Sequence, residues 1–84
     1  MTMSRRIEEG VIATYATKGN LRRIRVTIDR DGTYSYSEWH RLRLVGRGAN
    51  YPTRSAVEKV VANLIKYARE IDGIDFRKTS GERP

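Results

Sequence analysis

Seven of the chain's thirteen arginines lie between Arg22 and Arg47, interleaved with β-branched residues, tyrosines and the single tryptophan. Guanidinium groups clamp phosphates or read guanine edges, and neighbouring aromatics stack on unpaired bases, so these are the residue types of a polyanion site. From Leu21 to Arg47 seven cations stand against three anions (Asp29, Asp31 and Glu38), a net +4 of the chain's +7. A localised positive field attracts a polyanion through counterion release. Nucleic acid is therefore the leading partner class, DNA first and RNA as its variant.

Other chemistries lack their residues. His40 stands close in sequence to Asp29, Asp31 and Glu38, but no nucleophile elbow or oxyanion-hole motif goes with it. Asp29 and Asp31 read as turn formers, because the further ligands of a calcium loop are missing. With no cysteine and one histidine, neither a disulfide nor a thiolate or multi-histidine metal site is available. Gly46-Arg-Gly48 has no Lys-Ser/Thr partner and reads as a cationic connector rather than a phosphate cradle. The chain is expected to be no enzyme, with no catalytic residue, metal or cofactor. Its opening, Met1-Thr-Met-Ser-Arg-Arg-Ile-Glu-Glu, lacks the apolar core of a signal peptide, and no stretch approaches the ~20 apolar residues of a membrane span. A cytoplasmic protein without a membrane partner is expected.

The elements that position the arginines follow from periodicity. The run Val11-Ile-Ala-Thr-Tyr-Ala-Thr17 is β-branched and aromatic, and Lys18-Gly-Asn20 supplies the reversal after it. From Leu21 to Ile28 the pattern alternates: Ile24, Val26 and Ile28 fall on one face, Arg23, Arg25 and Thr27 on the other. Asp29-Arg-Asp-Gly32 signals a second turn. Thr33 to Val45 continues as a third strand, with a bulge or bend near Ser37 and Glu38 that would free Trp39 or send it inward. Gly46-Arg-Gly-Ala-Asn50 reads as loop. A helix then opens near Thr53 or Ser55, either of which would cap it, and Val57, Val60, Val61, Leu64, Ile65 and Ala68 make one apolar stripe that ends near Ile71 before Gly73.

Assembled, these elements give an α+β fold: a three-stranded antiparallel sheet with one C-terminal amphipathic helix packed on one face. Residues 1–84 form a single small domain, with 1–9 and 77–84 as flexible ends. The helix stripe must bury against the Ile24-Val26-Ile28 face. That leaves the face of Arg23, Arg25 and Thr27 in solvent.

The residues Arg23-Ile-Arg-Val-Thr27, Asp31-Gly32 and Tyr51-Pro-Thr-Arg-Ser-Ala-Val57 stand in an order of strands, turns and capped helix. From Leu21 to about Arg69 this arrangement resembles the arm-type DNA-binding domain of tyrosine-recombinase integrases and the related plant ethylene-response-factor domain. The resemblance implies a sheet inserted in the DNA major groove, with Arg23, Arg25 and Thr27 as contact positions joined by Arg41 or Arg43. It implies no recombinase activity.

Two functions are consistent with these residues. In the first, the exposed sheet face binds nucleic acid, duplex DNA before other forms, through Arg23, Arg25, Thr27, Arg41, Arg43 and Arg47. Tyr34, Tyr36 and Trp39 would stack on unpaired bases if they face outward; packed across strands, they would belong to the core. In the second, the same basic face serves a non-enzymatic protein-interaction module, such as a phage-type inhibitor or regulator. Edge pairing would make a dimer of either, and the oligomeric state stays open.

Overall fold

The computed structural model describes residues 10–81. In chain order the elements are β1 (Val11–Ala16), β2 (Arg22–Ile28), β3 (Tyr34–His40), β4 (Arg43–Tyr51), α1 (Arg54–Asp72) and β5 (Arg77–Gly81). All strand pairs are antiparallel, in the order β4-β3-β2-β1-β5, and α1 packs across β2, β3 and β4. The fold is thus α+β with one helix on an antiparallel sheet. The sheet has five strands, however, where the sequence pattern suggested three.

Both additional strands have a physical origin. The stretch from Thr33 to Val45 is two strands, reversing at Arg41 and Leu42, where Arg41 holds a φ of 60°. Neither residue is one of the Gly, Asn, Asp or Pro types that mark turns in sequence. Against β2, β3 runs straight through Ser37 and Glu38; the irregularity expected near them falls in the pairing with β4, between Glu38 and Trp39. The extra residues sit in β4 instead, at Val45 and beside Asn50, whose φ is 65°. Gly46 to Asn50, expected as loop, belongs to β4. Gly48 is needed there for close approach and not for a turn, since a Cβ on it would lie 2.6 Å from Tyr36 Cε2 and 2.8 Å from Tyr51 Oη. The two rings pack over that backbone with centroids 6.2 Å apart.

The fifth strand comes from the segment expected to fray. Residues 77–81 pair with β1, Arg77 opposite Ala16 and Lys78 opposite Tyr15, rather than trailing as a tail. The proposed flexible arm at 1–9 and the last three positions, 82–84, lie outside the described residues.

The helix follows its stripe. Thr53 is the cap: its Oγ1 accepts the Ala56 N–H at 3.1 Å, an interaction worth about 1 kcal/mol, and Ser55 lies inside the first turn. Gly73 ends the helix at a φ of 68°, donating its N–H to the Arg69 carbonyl at 3.1 Å. Val57 and Val61 are fully buried against Ala13, Ile24 and Val26. Leu64, Ile65, Phe76 and the tyrosines 15, 34, 36 and 51 form a half-buried ring around that centre. The largest fully buried side chains are only Ile and Val. With so thin a core, losing one of them, at about 2–5 kcal/mol for Ile24→Ala, removes a large share of the roughly 5–15 kcal/mol a domain possesses.

Candidate nucleic-acid interface

Strand register sorts the side chains between two faces. On β2 and β3, Ile24 pairs with Glu38 and Val26 with Tyr36, which carries Tyr34, Tyr36, Glu38 and His40 to the helix side of the sheet. The opposite face presents the row Arg23, Trp39, Leu44 and, beside it, the row Arg25, Ser37, Arg47. Thr27 and Ser35 make a third row, with their hydroxyls 2.8 Å apart. On the far side β1 adds Thr14 opposite Arg25 and Ala16 opposite Arg23, and β5 sets Arg77 against Ala16. No element covers this face among the described residues.

The expected site residues therefore separate. Arg23, Arg25 and Thr27 share the open face, as the alternation of β2 dictates. Arg47 joins them, although it was expected on a loop. Arg41 is not on a strand; it occupies the β3–β4 turn, where its carbonyl accepts a hydrogen bond from Arg23 Nη2 at 3.1 Å. Arg43, the first residue of β4, pairs with His40 and so has the other parity. Of the aromatics, Tyr34 and Tyr36 pack around the core. Only Trp39 lies among the arginines, half-buried, its Nε1 donating to Ser37 Oγ at 3.0 Å.

The electrostatics of the open face are one-sided. The carboxylates that form ion pairs do so elsewhere: Glu58 pairs with Arg54 at 2.8 Å and Asp75 with Arg69 at 3.0 Å. Glu38 is turned to the helix side by register. Arg25 and Arg47 are exposed and form no ion pair among the described residues. Adjacent strands lie about 4.8 Å apart, so these two guanidinium groups spring from backbones roughly 10 Å apart with Ser37 between them. Asp29, at the strand end, accepts from Ser35 Oγ at 3.3 Å. Asp31, one turn residue away, is held below the usual carboxylate range by the Thr33 hydroxyl and then by the Thr33 N–H, and serves the turn. Across the sheet, burial raises the Tyr36 phenol above its ordinary value, with lesser contributions from Tyr51 and Glu38.

Beside Arg47 the surface dips. A shallow depression of about 380 Å³ follows β3, floored by Ser35 and Ser37 and bounded by Thr27, Trp39, Leu44 and Arg47. Sequence reading missed the serines, although Tyr34-Ser-Tyr-Ser37 alternates strictly and so declares a two-faced strand. It also missed Leu44, whose parity is set by the tight turn at Arg41 and Leu42, and Arg77, whose strand lacks an apolar pattern.

Among the described residues no group of His, Cys, Asp and Glu is arranged to hold a metal, and no helix is long and apolar enough to cross a membrane. Comparison of the chain with family models, with curated proteins and with solved structures returns no match.

Proposed function

We propose that the chain binds nucleic acid on the open face of its sheet, with Arg25 and Arg47 as the principal phosphate contacts and Arg23 and Arg77 beside them. The observation that carries this reading is the row Arg25, Ser37, Arg47: two exposed guanidinium groups flank a hydroxyl on an uncovered face, and neither has a carboxylate partner among the described residues. Unpaired arginines in a common row concentrate positive charge, and a polyanion that meets them releases its counterions. Ser37, which accepts from Trp39, keeps a hydroxyl proton to donate to phosphate or to base edges.

Charge reversal tests it. The variant Arg25→Glu/Arg47→Glu should lose binding to DNA and RNA alike while its far-ultraviolet circular dichroism is unchanged, because both side chains point away from the core. Retained affinity in that variant would contradict the reading.

A second reading, a protein partner with an acidic surface, draws on the apolar tip beside the same face. Leu42 in the β3–β4 turn is 90% exposed and Val45 is 51% exposed. Exposed apolar residues next to a charged row suit a protein interface. The two readings separate by competition: free nucleic acid displaces the ligand in the first and leaves a bound protein in place in the second, unless that partner itself holds nucleic acid.

A further inference from the structure

Resting on the nucleic-acid reading, we infer that the open face takes a single strand, with a base stacked on Trp39 in the depression along β3, and does not enter a duplex groove. Width is the first argument. Five strands at about 4.8 Å span roughly 19 Å from β4 to β5, whereas the major groove is about 12 Å wide. Three strands would fit that groove. Here β1 and β5 continue the same face past its walls.

Relief is the second argument. A sheet that reads base edges in a groove must project into it, but this face is recessed along β3, between the central strand β2 and the edge strand β4. β3 contributes Ser35 and Ser37 there, Arg47 of β4 lines one side and Thr27 of β2 the other, with Arg25 next to Thr27 on the same face of β2. The result is a trough with Arg47 on one side and Arg25 close by on the same face, a form that can track a single backbone. Its volume of about 380 Å³ lies within the range of small-ligand pockets, which begins near 300 Å³, and suits a planar base.

The floor supplies the third argument, because its chemistry suits a base and not a phosphate. Trp39 leans along its own strand with Nε1 donating to Ser37 Oγ, so the indole is fixed in place with Leu44 as its cross-strand neighbour. Ser37 accepts that bond and keeps its own proton to donate. At the other end Asp29, which also lines the trough, accepts from Ser35 and retains acceptor capacity. A carboxylate repels phosphate but accepts from an exocyclic amine of a base. Phosphates thus belong with Arg47 and Arg25 at the rim and a base on the floor.

The experiment titrates the full chain with four probes while Trp39 emission and anisotropy are followed: a short single-stranded DNA, the same sequence as RNA, its duplex, and a single strand with abasic sites. The chain has one tryptophan, so the emission reports this site alone. Single strands should quench Trp39, and stacking should favour the base-bearing strand over the abasic one by about 5- to 150-fold. Trp39→Ala should close that gap and Trp39→Phe should keep part of it, which separates lost stacking from a damaged fold. The DNA and RNA arms identify which single strand is preferred. A duplex bound as tightly as the single strand, or abasic and base-bearing strands bound equally, would overturn this inference and leave the arginine face standing. Failure to bind any of the four would overturn both.

Discussion

Removing Arg25 and Arg47 should alter the salt dependence of binding in a way the structure fixes in advance. The open face carries Arg23, Arg25, Arg47 and Arg77, and Arg25 and Arg47 are exposed without an ion pair among the described residues. With about 0.7 counterions released per phosphate of a single strand, four contacts give a log–log slope near −2.8, or about a 50-fold loss of affinity between about 50 and 200 mM salt. Each single alanine variant should flatten the slope to about −2.1, and the double variant to about −1.4, with a loss of only about 7-fold over the same range. The assay is fluorescence anisotropy of a labelled oligonucleotide across a salt series, with circular dichroism as the check on folding. Arg43→Ala is the internal comparison, because Arg43 lies on the opposite parity of β4 and should leave the slope near its original value. A double variant that binds with the full slope would refute the assignment of Arg25 and Arg47 as phosphate contacts.

Three structural predictions accompany it. Gly48→Ala should destabilise the fold by about 1–3 kcal/mol in denaturant unfolding, because its methyl group would meet the Tyr36 and Tyr51 rings inside contact distance; unchanged stability would mean that the rings yield without cost. Ending the chain after Phe76 removes β5 and its four register pairs with β1, and should lower stability by about 2–4 kcal/mol, a loss that a mere tail would not produce. The raised Tyr36 phenol contributes stability that is fully present below about pH 10, where the unfolded phenol begins to ionise, and is lost as pH rises through the higher folded value. The melting temperature should therefore drop more between pH 9 and pH 11 in the parent than in Tyr36→Phe; equal drops would contradict the burial of that phenol.

What the sequence disclosed, and what it concealed, both have local causes. Periodicity located α1 because its stripe is long and is closed by Thr53 and Gly73, each a residue type with a capping mechanism. Alternation put Arg23, Arg25 and Thr27 on one face of β2, because two-residue periodicity needs no partner strand to be read. The third and fourth strands merged in sequence because Arg41 adopts a left-handed conformation that its residue type does not announce. Gly46 and Gly48 then suggested loop, while their role is to let Glu38, Tyr36 and Tyr51 lie over β4. Strand β5 is polar and charged, and only its pairing with β1 makes it a strand. For the candidate site the same limit applies. Leu44 reaches the open face through the tight turn at Arg41 and Leu42, and Arg47 through the extra residue at Val45, registers that depend on β3 and so on a pairing that no single stretch of sequence encodes.

The most direct test of the account is a map of backbone amide shifts, by two-dimensional nuclear magnetic resonance, as a single-stranded oligonucleotide is added. Shifts concentrated at Arg23, Arg25, Ser35, Ser37, Trp39 and Arg47, with the α1 residues Val57 to Ile71 unmoved, are the predicted result. Shifts confined to the helix or spread evenly over both faces would contradict an open sheet face as the binding surface.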